Sequence, residues 1–370
     1  MVFEEFWKDD AAAHKDNCFS ESAQQIAMGL RMSHECVYAE LGEDGDPWGR
    51  EPPERQWELN CRYNDKSETI VGKRLLPEIP PEETVQIPYV RRIGEVFEGV
   101  YEWPSNTGEW LHSRIESPSD LEAVLDRVDR LDLESFMLPE NWESEKKKLF
   151  ERTRRKPELL RHVRGPVTLA SSLFGAENLI YLFYDAPELF KRFSDTILSV
   201  LLIITRIMDR EAGYTEENRP PGFSFADDDC SLLSPEMYEV FGLPVLKGVF
   251  DVYSPNAADT RYQHSDSGMG HLLPLLGQMN LTGCNFGPTV LVDEIRRSMR
   301  RTRIDGCLSP FTFMNNDEPG IRKEVIRDCE MIKDSGTRGL NITTAGSVNN
   351  GSSLASMKLI METIQEHGRY

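Results

Sequence analysis

From residue 161 to the last helix, strand-length apolar runs alternate with helix-length amphipathic stretches, and few folds accommodate that alternation. The runs fall at 163–171, 223–226, 257–264, 281–286, 306–313 and 339–344. The helical stretches fall at 173–182, 187–212, 234–250, 271–279, 292–299, 318–333 and 352–367. A strand followed by a crossover helix returns parallel to its predecessor, so a parallel sheet is expected. So many units in succession favour a closed (β/α)8 TIM-type barrel over an open sheet, and an α/β fold class follows. Neither GxGxxG nor GxxxxGK[ST] occurs, which removes the usual nucleotide-cradling loops.

The first part of the chain reads differently. Residues 20–32 and 55–64 have helical spacing, 66–71 looks strand-like, and 44–53 is a turn-rich connector. Pro77, Pro80, Pro81 and Pro88 forbid a regular element over 76–88. That stretch is the expected seam, with residues 1–88 as an N-terminal helical cap region and 89–370 as the barrel body. Alternation over 90–103 predicts a strand or hairpin, followed by a loop at 104–110. Ser117-Pro118-Ser119-Asp120 starts a helix over 117–131, with an N-cap serine, a first-turn proline and an early acid. The basic run 146–156 reads as a solvated helix face.

Charge narrows the partners. With 62 acidic against 42 basic residues the net charge is −20, a field that opposes nucleic acid and anionic membrane surfaces. No apolar run reaches spanning length, and the acidic first residues match neither a secretory signal nor a transit peptide. A cytoplasmic location is expected. Seven dispersed cysteines without a CxxC pair read as reduced thiols rather than a disulfide framework.

The chemistry concentrates in residues 261–288. A strand ends at His264-Ser265-Asp266, a turn containing Gly268 and Gly270 follows, then a helix and a second strand that breaks at Gly287-Pro288. The ends of strands are where parallel α/β folds place ligands. His264 and Asp266 stand two apart on an extended segment, so both side chains lie on one face. They suit paired metal ligation, or an imidazole oriented by a carboxylate; the bland alternative is a strand-end histidine followed by a helix cap. Asp227-Asp228-Asp229 closes another strand, where mutual repulsion can keep one carboxyl protonated, or where the run simply caps a loop. Cys307, after Gly306 in a strand, is either a sulfur ligand or a buried thiol. Asn315-Asn316-Asp317 either binds substrate or caps the helix from Glu318.

Several of these segments together resemble the uroporphyrinogen decarboxylase superfamily of (β/α)8 barrels. Gly165-Pro166-Val167-Thr168-Leu169-Ala170 with Gly175 is similar to the family's GPF-T-A strand and following helix. Phe225-Ala226-Asp227-Asp228-Asp229, then Leu233-Ser234-Pro235-Glu236-Met237-Tyr238 and Leu243-Pro244, resembles its D-D-x…SPE-x-Y…P run. His264-Ser265-Asp266-x-Gly268, with Gly283-x-Asn285 beyond, resembles the metal-ligand strand of the methyltransferase branch. The likeness covers 161–370.

Two departures choose the branch. The decarboxylases hold their substrate's carboxylates with an M-R-Q-A-G-R segment, which this chain lacks; the basic pair Arg91-Arg92 stands in a different context. The thiol-methylating relatives bind zinc with His-x-Cys and a late Cys, but here the first reads His264-x-Asp266 and the late strand, Asn341 to Gly346, has no cysteine. The resemblance therefore implies a corrinoid-dependent methyltransferase that takes a methyl group from a small donor, a methyl ether first among them. Its partner would be a corrinoid protein, and homodimers are common among barrels. The implied catalytic residues are His264, Asp266 and Asp228, with Asp227, Asn285 and Asn315 toward substrate and His264, Asp266 and Cys307 as zinc ligands. The alternative is a decarboxylase or lyase of a small carboxylic acid, with Asp228 and His264 as acid and base.

Overall fold

A computed structural model describes residues 2–48, 51–83, 89–104 and 108–370. The expected seam at Pro88 and part of the expected 104–110 loop lie outside the described residues. Nine strands are described: β1 (Ala27–Met28), β2 (Val100–Glu102), β3 (Trp110–His112), β4 (His162–Arg164), β5 (Phe223–Ala226), β6 (Arg261–Ser265), β7 (Gly283–Phe286), β8 (Arg303–Leu308) and β9 (Leu340–Thr344). Seven of them form one sheet in the order β1, β9, β8, β7, β6, β5, β4. Apart from β1, each sheet strand neighbours the next in the chain, with helical segments between them, and the fold is α/β of the TIM-barrel type. The remaining two, β2 and β3, pair antiparallel; of the strand or hairpin expected over 90–103 only 100–102 is strand, since 93–96 is helical and the partner strand lies at 110–112.

Contacts divide the chain into two compact units, one comprising Met1–Thr84 and His264–Tyr370, the other Val85–Pro104 and Gly108–Gln263. In the first, β7 is buried at every position and β8 at all but its first. Such continuous burial is what a parallel strand covered on both faces requires. The helices Glu318–Asp334 and Leu354–His367 pack on each other. Ile321, Val325 and Ile332 on one and Leu354, Met357, Ile360 and Ile364 on the other recur at three-, four- and seven-residue steps, a single apolar stripe each.

In the second unit the long helix Pro187–Glu211 buries Phe190, Phe193, Ile197, Val200, Leu201 and Ile204. Its phenylalanines meet Phe241, with ring centroids 4.8 Å apart for Phe190 and 5.7 Å for Phe193. The expected helix 234–250 is broken at that residue into Pro235–Val240 and Gly242–Tyr253. The Ser194 hydroxyl donates to the Phe241 carbonyl (2.6 Å), one that a continuous helix would have kept for itself.

Three local expectations are corrected. Residues 66–71 are not a strand but the last turns of the helix Pro53–Val71, whose Leu59, Tyr63 and Val71 share a buried face and which Gly72 closes in the left-handed region. Residues 20–32 are not helical: Ala27 and Met28 pair with Asn341 and Ile342 of β9, and the Met28 N–H donates to buried Asp10 at 2.8 Å. The strand expected over 163–171 stops at Arg164, because Pro166 is the first residue of the helix Pro166–Phe174. No helix among the described residues is long and apolar enough to cross a membrane.

Candidate functional site

The turn after β5 is built around a buried carboxyl group. Asp227 is fully buried and its Oδ1 accepts from the Thr168 N–H at 2.8 Å, in the first turn of the helix Pro166–Phe174. The unpaired amides of a helix start suit a carboxylate there. A Cβ on Gly165 would lie 2.2 Å from the Asp227 Cβ, so only glycine allows the turn to close this tightly. The Asp229 N–H donates to Thr168 Oγ1 (3.0 Å). Thus the Gly165-Pro166-Val167-Thr168 segment and the Asp227-Asp228-Asp229 run, far apart in sequence, form one structure. Burial pushes the Asp227 carboxyl up to about 7, the Thr168 amide opposes this, and the Asp228 and Asp229 charges add to it. Asp229 is also raised, by burial first and then by Asp228. The remaining oxygen of Asp227 is buried without a hydrogen-bond partner among the described residues.

At the end of β6, the His264 ring is fixed by its neighbour on β7. His264 Nδ1 lies 2.7 Å from Asn285 Oδ1. The Asn285 amide nitrogen donates to the carbonyls of Asp305 (2.5 Å) and Thr344 (3.0 Å), and its oxygen also accepts from the Gly346 N–H (2.8 Å). With both amide hydrogens directed at carbonyls, the Asn285 oxygen is an acceptor, so His264 Nδ1 carries the hydrogen. The lone pair of the ring is left on Nε2, as ligation by that nitrogen requires. Asn285 was expected to face a substrate; only 7% exposed, it makes four hydrogen bonds that hold the histidine and join the ends of β8 and β9.

Asp266 follows β6 and is exposed. A Cβ on Gly346 (φ +81) would come within 2.5 Å of its Oδ2, so the late glycine serves both a left-handed turn and a close approach to this carboxylate. His264 and Asp266 each offer one ligand atom, within 4.8 Å of each other. A nitrogen and a carboxylate oxygen at that spacing suit two of the ligands of a divalent cation such as zinc.

Cys307 is not part of this group. It is fully buried, its N–H donates to Asp328 Oδ2 (3.1 Å), and burial pushes its thiol well above the usual range. A buried thiol beside an acid is a poor source of thiolate. Asn315 is exposed at the end of the helix Pro310–Met314. Its neighbour Asn316 accepts from Ser353 and Ser356 and secures the start of the helix Leu354–His367, while Asp317 caps the helix Glu318–Asp334. The Asn-Asn-Asp run therefore serves as helix caps at its second and third positions. Sequence reasoning passed over Gly165 and Gly346 as contact residues, and the role of Asn285; the only signal for each was its place in a short polar or glycine motif.

A family model described as Uroporphyrinogen decarboxylase (URO-D) matches residues 125–367, more than half of the chain. Comparison with the curated proteins gives no match. Among solved structures the chain is similar to a methyltransferase from Methanosarcina mazei, with 15% identity, 93% of this chain and 94% of that chain covered, and a TM-score of 0.55. At that identity the likeness is one of fold.

Proposed function

This chain belongs to the uroporphyrinogen decarboxylase family, and from that we propose a corrinoid-dependent methyltransferase that takes a methyl group from a small donor, a methyl ether, and passes it to a corrinoid held by a partner protein. The observation that carries the reading is the pairing of His264, its ring held by Asn285, with Asp266. In such a transfer the methyl carbon leaves its oxygen for the reduced cobalt of the corrinoid, and the bonding electron pair stays on the oxygen. The difficulty lies in that leaving oxygen, which needs a positive partner. A divalent cation, zinc in the first instance, would be held by His264 and Asp266 and would supply Lewis-acid polarisation of the donor oxygen.

The chain's own groups have definite tasks in this scheme. His264, with its hydrogen directed to Asn285, presents Nε2 as a neutral ligand. Asp266 is kept near Gly346, and Asp228 opens the short 3-10 helix Asp228–Leu232. Absence of the basic clamp, together with a net charge of −20, argues against a donor rich in carboxylates. Substitution of oxygen for sulfur ligands argues for an oxygen donor over a thiol.

Elemental analysis of the purified protein, followed by turnover with reduced corrinoid and a panel of methoxyarenes, methylamines and methyl thiols, tests the proposal. The expected result is one equivalent of metal and loss of the reduced-corrinoid absorbance with a methyl ether. His264→Ala and Asp266→Ala should each lower metal content and rate together. Full metal and full activity in either variant would sink the site assignment.

A further inference from the structure

A buried arginine in the first unit supports a group of cations at the starts of β8 and β9. Arg296, on the helix Val292–Ser298, is only 4% exposed and forms no ion pair among the described residues. Its Nη1 donates to the carbonyls of Met299 (2.9 Å) and Thr302 (2.8 Å), and its Nη2 to that of Arg338 (3.0 Å). The first two carbonyls flank Arg300 and Arg301, so one side chain ties together the loops 299–302 and 335–339 that lead into the two strands. Asp266, by contrast, lies against Gly346, beyond the end of β9. Burial lowers the Arg296 pKa to about 10, and the Arg300 charge acts in the same direction. Like charges gathered on a fixed support destabilise a fold unless an anion answers them.

These loops line an open cavity of about 600 Å³, within the range of small-molecule sites. Its lining brings Arg300, Arg301, Lys333 and Arg338 together with one acidic side chain, Glu21. None of the four cations forms an ion pair among the described residues. The side chains of Arg300 and Arg301 are exposed and make no hydrogen bond among those residues either. Lys333 and Arg338 give one donor each, to the carbonyls of His367 (2.7 Å) and Ala23 (3.1 Å). Acids are not scarce: the chain has 62, and elsewhere Asp65, Glu68 and Glu78 gather on the single Arg74.

Guanidinium groups without a counter-charge suit the clustered oxygens of a phosphate compound, which accept forked pairs of N–H donors. With four positive side chains against one negative, a diphosphate answers the local charge better than a single phosphate does. Screening decides the size of the ligand. Fields fade over about 8 Å at physiological ionic strength, so a small anion meets the local cations, whereas an extended polyanion also meets the net charge of −20.

We infer that this cavity is a binding site for a small diphosphate compound, held by Arg300, Arg301, Lys333 and Arg338. Phe19 and Tyr370 also line it, so a nucleoside diphosphate and a bare diphosphate are the two sources of that chemistry to compare. The assignment concerns binding alone and stands without the methyl-transfer reading.

Isothermal titration of the full chain with pyrophosphate, ADP, inorganic phosphate and a short oligothymidylate tests it. Pyrophosphate is expected to bind with a stoichiometry of one, and phosphate about tenfold more weakly or worse. Tighter binding of ADP than of pyrophosphate would name a nucleotide as the source, and equal or weaker binding the diphosphate alone; either result supports the site. The double variant Arg300→Gln, Arg301→Gln removes no hydrogen bond of the fold, and should weaken pyrophosphate by about tenfold or more with an unchanged circular dichroism spectrum. His264→Ala, at the other end of the strands, should bind pyrophosphate as the wild type does. No pyrophosphate binding at millimolar concentration, equal affinity for phosphate, tighter binding of the oligothymidylate, or wild-type affinity in the folded double variant would overturn the inference. So would loss of binding in His264→Ala, which would place the diphosphate on a metal instead. If the double variant does not fold, Arg301→Gln alone decides.

Discussion

Asn285 shows how much one amide can be asked to do. It is saturated, with two donors and two acceptors all in use, and each partner is a buried or positioned polar group. Replacing it with leucine keeps the branched shape and removes every bond, taking a donor from the Asp305 and Thr344 carbonyls and an acceptor from the Gly346 N–H. Asn285→Leu is expected to cost about 3 kcal/mol in urea unfolding, as unsatisfied buried groups do. The proposed metal affinity, measured by competition with a chromophoric chelator, should fall about 10- to 100-fold because the imidazole loses its orienting bond. Wild-type affinity in that variant would mean that the histidine is not a ligand. At this scale the sequence was legible where spacing is local: His264 on β6 and Asp266 just beyond its end stand two apart and offer ligand atoms to one point. Asn285 was legible as a polar residue of interest but not as a holder of His264, because its other partners arrive from residues 305, 344 and 346. Cys307 looked like a ligand because nothing in a strand pattern tells a buried thiol from a coordinating one.

Among the elements, the helix Pro187–Glu211 is tied down at its last residue. The Glu211 side chain is only 7% exposed and accepts from Trp142 Nε1 (2.6 Å), Lys146 Nζ (2.6 Å) and Arg210 Nη2 (3.0 Å). Trp142 and Lys146 belong to the helix Trp142–Thr153, so this carboxylate fastens one helix to the other. Burial pushes its pKa up, but the three donors outweigh burial and leave it below the ordinary 4.5. A depressed acid stabilises the fold fully above its unfolded pKa, and that contribution fades as pH falls through the folded value. Glu211→Gln should therefore be less stable than wild type at neutral pH, with the gap closing below about pH 4, as followed by denaturant unfolding across the acid range. A gap independent of pH would assign the effect to packing instead. The long helices were readable because their apolar stripes run for several turns, whereas 20–32, 66–71 and 163–171 were misread where short apolar runs suit either period. Of these, only 163–171 carried a decisive local mark, Pro166, and the fate of 20–32 rests on hydrogen bonds to β9.

For the whole molecule, the parallel sheet was the most secure expectation, since it depends on an alternation repeated over some two hundred residues rather than on any one of them. The same scale carries the consequence of metal binding for stability. A ligand that binds only the folded chain stabilises it by about 2.7 kcal/mol at a concentration a hundred times its dissociation constant. Scanning calorimetry should thus show the melting temperature falling when a chelator strips the wild-type protein, and no such fall for His264→Ala. Identical shifts in both would place the bound metal elsewhere. The seating of β1 against β9 has its own consequence for how the polypeptide is made. Ala27 and Met28 leave the ribosome more than 300 residues ahead of Asn341 and Ile342, with which they pair. Until then the edge of β1 has no neighbour in the sheet, so a nascent chain stalled ahead of Leu340 is open to capture by chaperones or to sticking to its own kind.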